Sequence, residues 1–127
     1  MGEIQQLVIE FHEKFGAPIT SSPNLAPFRE TELRHSLMQE ELSEYLVATH
    51  MDDLIGIADA LADLAYVVYG TAIIHGIDLD AVIREVHRSN MTKLGADGTP
   101  IYRMDGKVLK GPNYEPPNIA RVLEEQR

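Results

Sequence analysis

Two pairs of acidic residues are spaced so that each pair could bind a divalent metal ion. Glu41 and Glu44 are three residues apart, which on a helix places them about 60° apart and roughly 4.5 Å along its axis. Asp59 and Asp63 are four residues apart, so they share a helix face, in a run otherwise made of Ala, Leu, Ile, Val and Tyr. Because ionised carboxylates lose hydration in apolar surroundings, they need cations there. Four oxygen ligands without cysteine or a histidine pair suit a hard ion, Mg²⁺ or Mn²⁺.

A second interpretation involves no metal. The two glutamates would then be solvated, and the two aspartates would form salt bridges with Arg34 or Lys14. In that case the chain would be a non-catalytic helical module for dimerisation or partner binding.

The elements that carry these acids are predicted to be helices. Apolar residues recur at helical spacing in four segments, residues 2–15, 30–48, 54–74 and 79–89. Short links between them predict an all-α fold, an antiparallel four-helix bundle. The third helix is apolar nearly all round, so we expect it in the middle of the bundle. It is long enough to span a bilayer, but it contains both aspartates, which favours a buried helix of a protein without a membrane partner.

The pattern changes after Asn90. Turn dipeptides at residues 97–98 and 105–106 and short apolar runs beside the second of them predict an irregular tail with a small hairpin, residues 101–104 against 107–110. Asn118 is placed to cap a last short helix. We therefore expect one domain over residues 1–127, with a helical bundle in residues 1–90 and a basic tail in residues 91–127.

Charge limits the classes of partner. The formal net charge is −9, which disfavours a nucleic-acid polymer, since that affinity rests on Lys and Arg. Residues 1–87 hold four Lys and Arg against fifteen acids, whereas residues 88–110 hold five against two. This asymmetry fits a carboxylate-rich metal site beside a basic segment that meets an anion. There is no cysteine and no signal-peptide pattern, so we expect the cytoplasm.

The acidic runs also resemble a known family. Residues 33–44, which include Glu40-Glu41-Leu42-Ser43-Glu44, and residues 59–66 are similar to the ExxE and acidic-xx-D signature of the MazG-like and phosphoribosyl-ATP pyrophosphohydrolase-like all-α NTP pyrophosphatases. The resemblance extends through residues 85–93 and 105–112. The second motif of that superfamily is usually ExxD, but here Ala60 stands three residues before Asp63, so Asp59 would have to replace the missing ligand.

The resemblance implies a hydrolase that binds a nucleoside triphosphate through Mg²⁺, with Mn²⁺ as a substitute, and releases a monophosphate and pyrophosphate. It implies a role in clearing the nucleotide pool. The implied metal ligands are Glu41, Glu44, Asp59 and Asp63. Glu40 and Glu41 are the predicted catalytic residues, with Glu40 as general base. The predicted substrate-binding residues are Asn90, Lys93, Lys107 and Lys110.

One alternative lies within the same superfamily, namely phosphoribosyl-ATP pyrophosphohydrolase activity. A homodimer or homotetramer is also expected, because Tyr66, Tyr69 and Ile73 add apolar bulk to a helix that a short chain has difficulty covering.

Overall fold

The computed structural model describes all residues from 1 to 127 and contains five α-helices and no β-strand. The helices are α1 (Glu3–Phe15), α2 (Phe28–His50), α3 (Leu54–Ile74), α4 (Leu79–Met91) and α5 (Ile119–Glu125). The predicted all-α class is confirmed. The chain divides into two compact units, Met1–Leu79 and Asp80–Arg127. Most of α4 therefore belongs with the segment that follows it, although the sequence placed it with the first three helices.

Helix α1 begins after Gly2 and ends at Gly16, which adopts a φ of 73°. A left-handed φ of this kind is the usual way to end a helix, and glycine adopts it without steric cost. Gln5 is buried, and its side chain binds the end of the first unit: Nε2 donates to the carbonyl of Ile77 at 2.7 Å, and Oε1 accepts from the Leu79 amide at 3.0 Å. These bonds connect α1 to the chain that follows α3.

Helices α2 and α3 form the pair that carries the acidic residues. Only residues 51–53 separate them, and such a short link makes the two helices antiparallel neighbours. Asp53 caps α3, because its Oδ1 accepts a hydrogen bond from the Gly56 amide at 2.9 Å. Ala48 on α2 and Ala60 on α3 are both buried, and their small side chains permit a close approach of the two helices. Helix α2 runs two residues further at each end than the apolar spacing indicated.

The first three helices meet at Gly70 of α3. A Cβ atom at this position would lie 2.6 Å from Nη1 of Arg34 on α2 and 3.0 Å from Nε2 of His12 on α1. His12 is buried, and its Nδ1 donates to the Pro18 carbonyl at 2.8 Å, which leaves Nε2 without a proton in the neutral ring. Burial lowers the pKa of His12, so the ring is kept neutral beside the guanidinium. A side chain at this position would have to displace these two groups.

The second unit is organised around Glu85, whose side chain is only 4% exposed. Both of its oxygens accept from Arg88, at 2.8 and 2.9 Å, and the Asn118 amide donates to it at 2.7 Å. Arg121 approaches at 3.4 Å. The hydrogen bonds from Arg88 and Asn118 lower the pKa of Glu85 to about 2. This carboxylate therefore joins α4 to the start of α5, where Asn118 acts as the predicted cap.

The predicted hairpin is reduced to one antiparallel bridge between Tyr102 and Val108. Its turn contains Gly106 at a φ of 87°, and the Arg103 amide donates to the Lys107 carbonyl at 2.8 Å. The flanking side chains are exposed, so the strands have no apolar surface to pack on and do not extend.

The first prediction concerns Glu85→Gln, which removes the charge at the centre of the second unit. The folded-state pKa of Glu85 lies below its usual value of 4.5, so the carboxylate stabilises the fold fully above pH 4.5 and less as the pH falls towards 2. We expect the variant to unfold more easily at pH 7 and to lose part of the wild-type pH dependence between pH 4.5 and 2. Urea unfolding followed by circular dichroism measures this. Glu125→Gln, which removes an exposed partner of Arg121, is the control and should change little. Equal pH dependence in Glu85→Gln and the wild type would contradict the assignment.

Candidate metal centre

Three acidic side chains converge at the interface of α2 and α3. Glu41 and Glu44 extend from α2 and Asp63 from α3, and one carboxylate oxygen of each lies within 4.8 Å of the others. The two glutamates are three residues apart and so project from neighbouring positions of one helix surface. We call these three residues the carboxylate cluster. Three of the four metal ligands implied by the sequence motifs thus come together.

The carboxylate cluster holds partly buried negative charge that no other group of the protein neutralises. Glu41 and Asp63 are half-buried, and Oε2 of Glu41 is fully buried without a hydrogen-bond partner. Burial raises the pKa of Glu41, and the close carboxylates of Glu44, Asp63 and Glu40 raise it further. A buried oxygen without a donor is rare in folded proteins and indicates a missing cation or proton.

The salt-bridge alternative is not found in the structure. Lys14 pairs with Glu10 at 3.3 Å, and Arg34 forms no salt bridge. Neither Asp59 nor Asp63 is paired with a basic side chain. The protein itself therefore supplies no positive charge to the cluster.

The donor set fits a divalent ion of the hard type. All three donors are carboxylate oxygens, which Mg²⁺ and Mn²⁺ prefer, and the unpartnered Oε2 of Glu41 has the free acceptor capacity that a metal ligand requires. The residues present are thus suited to hold such an ion.

Asp59, the fourth ligand implied by the motifs, lies outside the cluster. It is exposed and borders a separate cavity of about 340 Å³, which also contacts Glu44. Four residues on a helix advance the chain by one turn and about 40°, so Asp59 and Asp63 share a face without reaching the same point in space. Its assignment as a ligand stays a prediction.

Glu40 is exposed and lies at the edge of a groove of about 550 Å³ on the outer side of α2. The other residues of this groove are His35, Ser36, Gln39, Ser43 and Glu44. Except for Glu44, none of them is an acidic residue of the sequence motifs. Ser36, Ser43 and Glu44 are three or four residues from Glu40 on the same helix, and this spacing is the signal that could have found that part of the groove. The role of Glu40 as general base stays a prediction.

The predicted substrate-binding residues all lie in the second unit. Asn90 is exposed at the end of α4, and Lys93 is half-buried, with its carbonyl accepting from the Gly111 amide at 2.8 Å. Lys107 is exposed beside the bridge, and Lys110 places its Nζ 4.8 Å from the centre of the Tyr114 ring. No carboxylate binds Lys107 or Lys110, so the charges of both lysines are available to an anion.

Comparisons with known proteins agree with the motifs. A model of the family described as phosphoribosyl-ATP pyrophosphohydrolase matches residues 8–90. An uncharacterized protein of Acanthamoeba polyphaga mimivirus is 32% identical over 109 residues, which cover 83% of this chain and 41% of the viral protein. The chain thus spans less than half the length of that relative. A solved structure from Exiguobacterium sp. 255-15, whose suggested activity is that of an NTP pyrophosphohydrolase, shares the fold. It aligns with a TM-score of 0.52 and 24% identity over 98% of this chain and 94% of its own.

The second prediction tests the repulsion within the cluster. In the presence of a chelator, Glu41→Gln should raise the melting temperature, because it removes one negative charge and gives the cluster an amide that donates to Glu44 or Asp63. Differential scanning calorimetry measures the change. Glu40→Gln, one position away and exposed, should have a much smaller effect. A lower melting temperature for Glu41→Gln would mean that the cluster is stabilised by contacts we have not identified.

Proposed function

Because the chain belongs to the phosphoribosyl-ATP pyrophosphohydrolase family, with residues 8–90 matching its model, we propose that it hydrolyses nucleoside triphosphates to monophosphate and pyrophosphate with the help of Mg²⁺. The domain is that of a pyrophosphate-bond hydrolase. The observation that carries the metal dependence is the buried, unpartnered Oε2 of Glu41 among three carboxylates without a basic residue. Clearance of unwanted nucleotides in the cytoplasm is the role we propose for this activity.

The residues divide the chemistry between them. Glu41, Glu44 and Asp63 would hold the ion, which when bound supplies positive charge to the phosphate oxygens and makes a bound water more acidic. Glu40 accepts the proton of the attacking water from its exposed position beside the cluster. The new bond forms between the water oxygen and phosphorus, and the bond that breaks is the phosphoanhydride to the departing pyrophosphate. The monophosphate and the pyrophosphate are then released.

Phosphoribosyl-ATP is the second candidate substrate. It is favoured by the match of residues 8–90 to the phosphoribosyl-ATP pyrophosphohydrolase family. Hydrolysis of phosphoribosyl-ATP uses the same carboxylates and also releases pyrophosphate, so only a direct comparison of the two substrate types separates them.

The third prediction tests the activity and its dependence on the cluster. A screen of ribo- and deoxynucleoside triphosphates and phosphoribosyl-ATP, with products separated by chromatography, should yield monophosphate and pyrophosphate from at least one nucleotide. Chelation should abolish turnover, and Mg²⁺ or Mn²⁺ should restore it. Glu44→Gln and Asp63→Asn should lower kcat by orders of magnitude while the helical circular-dichroism signal stays.

The control for these variants is Glu32→Gln, which removes an exposed glutamate from the same helix and should leave kcat unchanged. Formation of a nucleoside diphosphate and inorganic phosphate would contradict the proposed bond cleavage. Wild-type turnover in both cluster variants would contradict the proposed site.

We also propose that the chain works as a homodimer or homotetramer. Leu33, Leu42 and Leu46 on α2 are each more than half exposed, and only 28% of the most apolar part of α3 is buried within the chain. That helix is long and apolar enough to cross a membrane by length and composition, but the half-buried carboxylate of Asp63 in its middle favours protein as the cover. Ile73, which the sequence placed on this surface, is buried inside the chain at 3% exposure, whereas Tyr66 is exposed.

The fourth prediction is that sedimentation at micromolar concentration gives the mass of a dimer or a tetramer of the 14.2 kDa chain. Leu46→Arg should reduce the mass towards that of one chain with little loss of helical signal, because the residue is exposed within the chain. A wild type that sediments only at 14.2 kDa would refute self-association.

A further inference from the structure

A cavity of about 340 Å³ lies at the corner where α2 turns into α3, next to the carboxylate cluster. Its walls are mainly apolar and small, with Val47, Ala48, Met51, Gly56 and Ala60 on the two helices and their turn. We call this space the corner cavity. Binding pockets for small molecules typically combine such walls with a few polar groups, and they begin at about this volume.

The ionisable groups of the corner cavity are all acidic. Glu44 belongs to the cluster as well, and Asp53 is occupied as the cap of α3, where its Oδ1 accepts from Gly56. Asp59 is the remaining one, and it has no hydrogen-bond or ion-pair partner in the protein. A phosphate would be repelled from this space, whereas an uncharged group that donates hydrogen bonds would be attracted.

We propose that the corner cavity receives the base of the nucleotide and that Asp59 accepts a hydrogen bond from the exocyclic amino group of cytosine, adenine or guanine. This inference rests on the proposed function and adds a substrate preference to it. Uracil and thymine carry a carbonyl oxygen where cytosine has its amino group. Since this oxygen is partially negative, the Asp59 carboxylate would repel it. The base and the phosphates of a nucleotide are separated by the sugar. The corner cavity and the groove on the outer side of α2 are likewise adjacent, because Ser43 and Glu44 line both of them.

The groove on the outer side of α2 suits a base less well. All of its lining residues are polar and lie on α2 alone, from His35 and Ser36 to Ser43 and Glu44, so a planar ring there would not be held between two helices. The corner cavity has apolar walls on both helices. A flat ring placed there removes apolar surface from water, which is the main source of affinity for a base.

Asp59→Asn tests the preference, because it exchanges an acceptor for an amide that can also donate to a carbonyl. The wild type should hydrolyse dCTP with a kcat/KM about tenfold or more above that for dUTP, as expected for a hydrogen bond to a charged group. The variant should lose or reverse this ratio. Asp52→Asn is the matched control: it lies in the same turn outside the cavity, at a φ of 53° that asparagine tolerates, and should keep the wild-type ratio.

Two outcomes of this experiment would overturn the proposal. An unchanged dCTP to dUTP ratio in Asp59→Asn means that Asp59 does not contact the base. Loss of Mg²⁺ uptake in the same variant, measured by calorimetry, means that Asp59 is a metal ligand, as the family motif implies.

A second measurement does not depend on turnover or metal. Cytidine, titrated into the protein in the presence of a chelator, should shift the NMR signals of the Gly56 amide and the Ala60 methyl group, and uridine should shift them less. These shifts would support the cavity even if no triphosphate were hydrolysed, in which case the proposed function fails by itself.

Shifts confined to His35 and Gln39 would place the base in the outer groove and overturn the proposal. Signals that respond to protein concentration instead of nucleoside would make the cavity a surface for self-association and would also overturn it.

Discussion

Three carboxylates within 4.8 Å of one another repel each other, and the pairing of α2 with α3 has to hold them together. The structure fixes this pair of helices at both ends. At one end, the three-residue turn and the Asp53 cap determine where α3 begins. Towards the other end, Arg34 and His12 meet at the bare surface of Gly70. Between these points the buried side chains of Ala48 and Ala60 are too small to separate the helices. The repulsion is therefore held in place by packing on either side of the cluster, and a bound cation would relieve it.

Helix α2 serves two different compartments because of its periodicity. Residues of its outer side form the polar groove, and residues one to two turns further along, such as Val47 and Met51, form the apolar corner cavity. Ser43 and Glu44 belong to both. A substrate with a charged part and a flat, less polar part can thus be bound by one helix. In our proposal, the phosphates stay at the cluster, and the base occupies the cavity beyond Glu44.

Much of this arrangement could be predicted from the residues. Helical spacing of apolar side chains located the first four helices to within two residues at every end, and Asn118 was identified as the cap of the fifth. The family assignment from the acidic runs is confirmed by the match over residues 8–90. Spacing along one helix also determines which acids share a face, so the pairing of Glu41 with Glu44 could be predicted.

The rest depends on contacts between elements that are distant in sequence. Whether Asp59 or Asp63 reaches Glu41 depends on how far α3 slides along α2, and no local pattern contains that distance. The same holds for Ile73, which is buried by contacts within the chain although its type and spacing suit an outer face equally well. The hairpin was predicted from its turn residues, but the extent of pairing depends on apolar cover that the surrounding chain does not provide.

The contact at Gly70 has a consequence for the evolution of this chain. Glycine in a helix lowers stability by roughly 1 kcal/mol relative to alanine, so drift would ordinarily replace it. Here a methyl group would collide with a guanidinium from one helix and an imidazole from another. Positions 12, 34 and 70 should accordingly covary among related sequences: chains that have a larger residue at position 70 should have a shorter side chain at position 34 or 12. An alignment of the family would show this as a three-way correlation between positions that are 22 or more residues apart in the sequence.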